Sequence, residues 1–307
     1  MLKRVQHDDE DGGTAASVTT ESAFIEALRV LARHPGARAL HDDAAVIELG
    51  SEVLVLTHDM MAEGVHFLAD QDPADVAWKL VAVNMSDLAA KGAEPIGVLL
   101  GYTLGKDDAR FLEGLEEATE HFGAPLLGGD TIAAPGPRSL GLTAIGRATH
   151  RPVPSRSGAK KGDALYITGP VGAAMLGLEA LRSGSGDSLA YRRPVALLPQ
   201  GWALAPVVTA MMDVSDGLLL DGARLARASN ATLAIDSSAV PIAAPEERRG
   251  EALRWGDDYQ LLFTAPAAAE FPVQAHRIGE VLSGGGAPIL LDGRPLTETD
   301  RLGYEHK

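Results

Sequence analysis

The sequence predicts a protein of mixed α/β (α+β) class built from two domains. Short runs rich in Val, Ile and Leu alternate with segments of helical periodicity along the 307 residues, a pattern typical of strands covered by helices. A basic stretch containing Pro and Gly, residues 150–163, separates two such halves. We therefore expect a disordered acidic leader over residues 1–20, an N-terminal domain over 21–149 and a C-terminal domain over 150–307.

Five apolar runs predict the buried strands. Branched aliphatic residues fit the pleated backbone of a strand, and polar or glycine residues bound each run. The runs cover residues 53–57, 96–104, 139–146, 164–168 and 259–264.

Five segments with apolar residues at helical spacing predict helices. The clearest has Asp72 as its N-cap and Pro73 as its first helical residue, and both residue types are common at helix starts. Val76, Leu80 and Val83 then continue at helical spacing. The other four segments cover residues 106–122, 171–182, 202–212 and 216–228.

Charge and composition exclude several classes of function. The formal net charge of -15 argues against nonspecific binding to nucleic acid or to an anionic membrane, although an acidic source would produce the same excess. The absence of cysteine excludes disulfides, thiolate metal sites and cysteine nucleophiles. No apolar run is long enough to span a bilayer and no hydrophobic signal core opens the chain, so we expect a cytoplasmic protein.

Short aspartate motifs are the main indication of function. They stand at the ends of apolar runs or beside small residues, where we expect the backbone to turn and a ligand to approach. Carboxylates gathered in this way suit hard cations such as magnesium, and therefore phosphate chemistry. The motifs are His41-Asp42-Asp43, Thr57-His58-Asp59, Asn84-Met85-Ser86-Asp87, Gly128-Gly129-Asp130, Asp213-Val214-Ser215-Asp216-Gly217 and Gly256-Asp257-Asp258-Tyr259.

Each acidic motif also has a purely structural interpretation. A helical turn would bring Asp213 and Asp216 to one face for a metal. Alternatively, Ser215 or Asp216 caps the next helix, which explains one acid but leaves Asp213 beside a core without a partner. Asp87 could be a solvated helix residue, although its apolar neighbours favour burial. The adjacent acids Asp42 and Asp43 would repel each other unless a cation lies between them.

The glycine, histidine and basic residues leave alternatives open as well. Gly129 and its neighbours could form a phosphate-binding turn or an ordinary one. Taken alone, His66 would be a structural histidine, and Arg156 and Lys160 are either phosphate contacts or solvated linker charges. The chain contains no Walker loop and no GxSxG, HExxH or kinase HRD motif. Any nucleotide must therefore be bound outside those folds.

Taken together and in order, the motifs resemble those of the thiamine-monophosphate kinase family, within the superfamily of aminoimidazole-ribonucleotide synthetase. The resemblance covers almost the whole chain after the leader, and it is specific because eight segments stand in register. The matching segments are Asp42–Ala45, Asp59 with Glu63–Phe67, Asn84–Ala93, Gly128–Thr131, Arg156–Lys160, Asp213–Leu218, Asp257–Tyr259 and Gly303–His306.

The resemblance implies a fold, a reaction and an assembly. It implies a homodimer in which a four-stranded N-terminal sheet pairs with that of a second subunit, while the C-terminal α/β domain closes over the nucleotide. It implies magnesium-dependent phosphoryl transfer from ATP to thiamine monophosphate. Because the acceptor phosphate is already an oxyanion at neutral pH, no general base is expected. Several magnesium ions would reduce the repulsion between the two polyanions.

The resemblance also assigns roles to residues at the matching positions. Magnesium would be held by Asp43, Asp59, Asp87, Asp130, Asp213 and Asp216, with Thr57 and His58 beside them. ATP would contact Gly129, Asp130, Arg156 and Ser215. The thiamine substrate would contact His66, Asp257 and Tyr304.

Four positions depart from the family pattern and keep other functions open. His41 replaces the usual glycine, His58 a threonine, Asp257 a glutamate and Lys91 a common methionine. The alternatives are a related ATP-using enzyme with another small substrate, and a nucleotide- or thiamine-phosphate-binding protein without turnover. Selenophosphate synthesis and hydrogenase maturation are disfavoured because the chain lacks cysteine.

Overall fold

The computed structural model describes residues 21–305, apart from the side chains of residues 21, 22 and 298. The expected leader, residues 1–20, and His306 lie outside the described residues. The described chain forms two β-sheets with helices packed between and around them. The expected α/β class is therefore confirmed, whereas the domain bounds 21–149 and 150–307 stay a prediction.

The first sheet has five strands in the order β1-β2-β5-β3-β4, one more than the family resemblance implied. Neighbouring strands are antiparallel except for β3 and β4, which are parallel. The strands are β1 (Ala45–Leu49), β2 (Glu52–Ala62), β3 (Ala93–Thr103), β4 (Leu126–Ile132) and β5 (Ser139–Ala148).

Three helices belong to this half of the chain: α1 (Glu21–Arg29), α2 (Pro73–Ala90) and α3 (Asp108–Phe122). Asp72 caps α2 as expected, because its carboxylate accepts a hydrogen bond from the Ala74 amide at 3.0 Å. Every residue of α2 from Ala74 to Ala90 is buried. A helix enclosed on all sides must pair its polar residues inside the protein, and those residues form part of the site described below.

The second sheet has seven strands in the order β12-β11-β8-β10-β6-β9-β7. Its strands are β6 (Asp163–Ile167), β7 (Ala210–Asp213), β8 (Ala231–Ile235), β9 (Leu261–Pro266), β10 (His276–Ser283), β11 (Ile289–Leu291) and β12 (Arg294–Leu296). The helices of this half are α4 (Ala173–Ser183), α5 (Leu189–Arg192), α6 (Leu198–Leu204), α7 (Leu218–Ala228) and α8 (Arg249–Ala252).

The helix expected over residues 202–212 is wrong beyond Leu204. Helix α6 ends at Leu204, and Ala210–Asp213 forms strand β7. Pro206 lacks the amide hydrogen that would continue the helix, and the β-branched residues that follow favour an extended backbone. Asp213 consequently stands at the end of a buried strand.

Helix α2 joins the two halves of the molecule. Its apolar side chains belong to one continuous core that also includes Met211 of β7 and Phe263 of β9. This packing brings the last turn of α2, with Asp87, against the end of β7, with Asp213. The fold therefore places acids that are far apart in sequence on the wall of one cavity.

Over the described residues, no helix combines the length and apolar character needed to cross a membrane.

Candidate active site

A cavity of about 700 Å³ lies between the two halves of the chain. Five of the six aspartates expected to bind magnesium line it: Asp43, Asp59, Asp87, Asp213 and Asp216. They come from the bend before β1, from β2, from α2, from the end of β7 and from the loop after β7. Elements of both halves are thus required to assemble this acidic wall.

Three of these carboxylates form a compact cluster. One oxygen from each of Asp43, Asp87 and Asp213 lies within 4.8 Å of the other two. Thr57 Oγ1 donates a hydrogen bond to Asp87, and Ser86 Oγ donates one to Asp213 Oδ2 at 2.6 Å. These hydroxyls orient the carboxylates, so the cluster presents hard oxygen donors in fixed positions.

Burial and mutual repulsion raise the pKa of the clustered acids. Burial, followed by the charges of Asp59, Asp213 and Asp43, raises the pKa of Asp87 well above its usual value. Burial, followed by the charge of Asp43, raises the pKa of Asp213 to about 8 and that of Asp59 to about 6. Since the ionised cluster needs compensating positive charge, its donor set fits a hard divalent cation.

These pKa shifts predict how the stability of the metal-free protein depends on pH. An acid whose pKa is raised by folding stabilises the folded state at low pH, and that contribution is lost as pH rises through the folded pKa. In EDTA, we therefore expect the melting temperature to fall between pH 5 and pH 9. Below about pH 4 the trend should reverse, because the pKa of Asp42 is held below its usual range.

Thermal unfolding measured across this pH range, with EDTA and with excess Mg²⁺, checks the prediction. A cation should stabilise the protein more at pH 8 than at pH 5. At pH 8 more of its carboxylate ligands are ionised and repel one another without it, whereas at pH 5 it must compete with protons. A melting temperature that is constant from pH 6 to pH 9 in EDTA would contradict the expected shifts.

The edge of the acidic wall formed by Asp42 and Asp43 already carries positively charged side chains. Lys91 forms ion pairs with Asp42 and Asp43, Arg38 with Asp42, and Arg156 with Asp43. Burial alone would raise the pKa of Asp42, but the charge and hydrogen bond of Lys91, together with Ser155 and the charge of Arg38, lower it below its usual range. The sequence indicated that Asp42 and Asp43 need a cation between them, but it did not identify Lys91 as that cation.

The loop from Val214 to Gly217 is held by a residue that the sequence analysis missed. Asp221 of α7 is fully buried, and its Oδ2 accepts hydrogen bonds from the amides of Ser215 at 3.1 Å and Asp216 at 2.9 Å. Arg224 pairs with both Asp216 and Asp221. Neither local geometry expected for this motif is present: the segment is not a helical turn, and the N-cap of α7 is Gly217, with no side-chain cap.

The residues expected to contact the substrate line the same cavity. His66, Asp257 and Tyr304 all lie on its wall. Buried Lys79 places its Nζ 2.8 Å from Asp257 Oδ2 and 3.2 Å from the His66 carbonyl. The sequence analysis missed Lys79, although a lysine between the apolar positions Val76 and Leu80 of a predicted helix was the available signal.

Three expected site residues lie elsewhere. In β2, Thr57 and Asp59 face α2, whereas exposed His58 faces the other side of the sheet, where its Nδ1 is 2.8 Å from Thr143 Oγ1. Gly129 and Asp130 are exposed on edge strand β4 and do not line the cavity. The imidazole of His58 therefore does not join the acidic cluster.

The strand register shows which face carries Asp130. Met60 pairs with Gly141, Gly141 with Gly101, and Gly101 with Asp130. Residues paired in this way project from the same face of a sheet, so Asp130 shares the outer face, opposite to that of Asp59, with exposed Met60, a residue that also borders the cavity. Within one chain, the sheet separates Asp130 from the acidic cluster.

The expected backbone turns are correct only in part. Asp42 and Asp43 lie in a bend, and the motifs around Ser215 and Asp257 lie in loops. Asp87 lies inside helix α2, as expected for the segment that begins at Pro73. Asp59, however, lies inside strand β2, and the Gly128-Gly129-Asp130 motif lies in strand β4 rather than in a turn. His41, which departs from the family pattern, is exposed and outside the cavity lining.

Comparison with known proteins identifies the family. Models described as AIR synthase related protein, N-terminal domain, and AIR synthase related protein, C-terminal domain, match residues 41–148 and 160–290. A thiamine-monophosphate kinase from Caulobacter vibrioides is 36% identical and is aligned over 97% of this chain and 94% of its own length. The chain belongs to the thiamine-monophosphate kinase family. The family relationship expected from the motifs is thereby confirmed.

Other proteins named as thiamine-monophosphate kinases are also similar to this chain over most of its length. The Escherichia coli K12 thiamine-monophosphate kinase is 35% identical over 86% of this chain and 90% of its own length. A solved structure of AaThiL complexed with AMPPCP and TMP covers 94% of this chain and 97% of that one, with a TM-score of 0.83 at 29% identity. Hydrogenase maturation protein HypE shares the fold alone, at 22% identity and a TM-score of 0.66, with 86% of this chain and 92% of its own covered.

Proposed function

We propose that this protein transfers the γ-phosphoryl group of ATP to the phosphate of thiamine monophosphate, forming thiamine diphosphate and ADP. The observation that carries the proposal is the buried cluster of Asp43, Asp87 and Asp213 in a cavity between the two halves of the chain. The likeness to a structure complexed with AMPPCP and TMP, and to kinases named for this reaction, supports the two substrates.

The cluster carboxylates are the proposed magnesium ligands. Asp43, Asp87 and Asp213, whose oxygens converge, would hold magnesium, with Asp59 and Asp216 beside them for further ions. The raised pKa values of Asp59, Asp87 and Asp213 are consistent with a shortage of positive charge there. When bound, magnesium supplies the charge that reduces repulsion between the donor and acceptor phosphates.

The chain itself supplies orientation and further positive charge. Arg156, held by Asp43, lies on the cavity wall where it can contact a phosphate of ATP. The Ser215 amide is already bonded to Asp221, so its hydroxyl is the group left to contact the nucleotide. Because the acceptor is already ionised, these residues bind and align the reactants, and no side chain has to remove a proton.

The cavity lining includes groups that suit a flat, cationic ring. Trp255 and Tyr304 lie on the wall together with the Asp257 carboxylate, whereas the Tyr191 ring already faces the Lys79 ammonium, 3.9 Å from its centroid. Aromatic faces and a carboxylate attract a positive ring such as the thiazolium of thiamine. Lys79 and the hydroxyl of Tyr259 hold Asp257 from both sides, which fixes its direction. Asp257 is therefore the residue that we propose selects the thiamine moiety.

We also propose a homodimer formed through the outer face of the five-stranded sheet. Met60 is 59% exposed and Leu99 39% exposed on this face, and edge strand β4 beside it leaves Leu126 and Leu127 about half exposed. Exposed apolar side chains on a sheet face and its edge favour association with a second copy. Gly129 and Asp130 would then contribute to the site of the partner subunit. Because ATP is the phosphoryl donor, we place the enzyme in the cytoplasm.

A direct assay tests the proposed reaction. Purified protein is incubated with ATP, Mg²⁺ and thiamine monophosphate, and thiamine diphosphate is measured by chromatography. Unphosphorylated thiamine as acceptor and EDTA in place of Mg²⁺ serve as controls, and neither should give product. Tight nucleotide binding without any thiamine diphosphate would refute the kinase and favour a sensor, whereas phosphorylation of another acceptor alone would reveal a different substrate.

A further inference from the structure

A lysine is buried against the acidic cluster. Lys91 follows α2, and its side chain is completely inaccessible to solvent. Its ammonium group forms an ion pair with Asp42 Oδ1, lies 2.5 Å from Asp43 Oδ2 and donates to the Met211 carbonyl at 3.3 Å. The three donor hydrogens of the ammonium thus have three acceptors inside the protein.

The charges around the cluster are distributed unevenly. Lys91, Arg38 and Arg156 all pair with Asp42 or Asp43. In the part of the chain that the structure describes, no lysine or arginine forms an ion pair with Asp59, Asp87 or Asp213. One edge of the acidic wall is therefore neutralised by the chain itself, and the other edge is not.

Asp43 connects the two edges. One of its oxygens faces Lys91, and it also belongs to the cluster with Asp87 and Asp213, whose oxygens lie within 4.8 Å of one another. The Lys91 ammonium is thus one carboxylate away from the metal ligands. Two adjacent buried acids require a cation between them, and in this chain a covalently attached cation occupies that position.

We propose that Lys91 is a built-in cation of this site, which takes the place of a divalent ion at the edge formed by Asp42 and Asp43. Divalent ions are then required only at the edge formed by Asp59, Asp87 and Asp213. Lys91 acts through Asp43 and is a positioning residue. This inference rests on the proposed function only in that it takes the cluster to bind metal.

Counting bound Mn²⁺ tests the inference. In Lys91→Met, a side chain of similar length without charge, the edge formed by Asp42 and Asp43 keeps Arg38 and Arg156 but loses the cation that contacts both carboxylates. Equilibrium dialysis with MnCl2 should show one more Mn²⁺ bound per chain than in the wild type. Lys79→Met is the matched control, since Lys79 is also buried, in the helix that precedes Lys91, but pairs with Asp257, and its Mn²⁺ count should equal that of the wild type. An unchanged count in Lys91→Met overturns the proposal.

Two further variants locate the additional ion and provide a test that does not require Lys91→Met to fold. In Asp42→Asn/Lys91→Met the extra Mn²⁺ should disappear, and its persistence would overturn the assignment to this edge. If Lys91→Met does not fold, Asp42→Asn alone is measured. Lys91 and Arg156 then both act on Asp43, so Mn²⁺ affinity should fall at least about tenfold, and an unchanged affinity overturns the proposal.

The Mn²⁺ measurements need no turnover, so they are independent of the kinase assay. A wild-type protein that binds Mn²⁺ without forming thiamine diphosphate would refute the proposed reaction and leave the role of Lys91 standing. A wild-type protein that binds no Mn²⁺ would refute the metal site and this inference together.

Discussion

Replacing Asp213 with asparagine is expected to lower turnover at least about 100-fold while making the metal-free protein more stable. Asparagine has the same shape and can still accept the hydrogen bond from Ser86, so the packing is retained. It cannot supply the negative charge that holds a divalent cation. Because burial and Asp43 raise the pKa of Asp213 to about 8, removal of its charge relieves repulsion in the folded state.

Two measurements check this prediction. Steady-state kinetics over a range of Mg²⁺ concentrations should show a lower kcat and a higher Mg²⁺ requirement. Thermal unfolding in EDTA at pH 8 to 9 should show a higher melting temperature than that of the wild type. Opposite changes in activity and stability are the signature of a charge retained for function. Unchanged turnover would mean that Asp213 has only a structural role.

Asp163→Asn is the matched control. Asp163 is also a buried aspartate at one end of a strand of the second sheet, but its carboxylate accepts hydrogen bonds from the Lys160 amide at 2.9 Å and from Thr209 Oγ1 at 2.7 Å. It does not line the cavity. This variant should lose about 1–3 kcal/mol of stability and retain the wild-type kcat.

The acidic cluster could be predicted from sequence because its members occupy short, ordered motifs. The basic residues that pair with Asp42 and Asp43 could not be predicted in this way. Asp42 and Lys91 are 49 positions apart, and their ion pair depends on how α2 packs beside the bend before β1. Asp221 was missed for a different reason, since it resembles an ordinary acid in the first turn of a helix. Such long-range or locally ordinary contacts leave no periodic signal in the sequence.

The face of the sheet on which His58 lies could have been predicted from the sequence if the full length of strand β2 had been recognised. The apolar run predicted a strand that ends at Thr57, whereas β2 continues to Ala62. Side chains alternate between the faces of a strand, so Thr57 and Asp59 share one face and His58 takes the other. Extending the strand by five residues turns an apparent ligand into a residue of the outer face.

Replacing Leu99 with aspartate is expected to dissociate the proposed dimer. The side chain projects from the outer face of the first sheet, and in a two-fold interface each substitution occurs twice. A buried unpaired charge costs about 3–5 kcal/mol, so two copies should raise the dissociation constant by at least about 10⁴-fold. Light scattering should give the mass of one 32.1 kDa chain instead of two at micromolar concentration.

Leu112→Asp is the control for this variant. Leu112 is 60% exposed on α3 and lies away from the sheet face, so this protein should remain dimeric and active. A monomeric wild type, or a dimeric Leu99→Asp protein, would contradict the proposed interface. A monomeric Leu99→Asp protein with full turnover would show that each chain forms a complete site alone.

The proposed dimer would matter for activity, because the sheet separates Asp130 from the acidic cluster of its own chain. If Asp130 completes the site of the partner, Asp130→Asn and Asp213→Asn dimers should each be inactive. In mixed dimers, one of the two sites combines Asp213 of one chain with Asp130 of the other, and both residues are unchanged. Random exchange of subunits should therefore restore about one quarter of wild-type activity. If Asp130 acted within its own chain, every site in the mixture would carry one substitution and no activity would return.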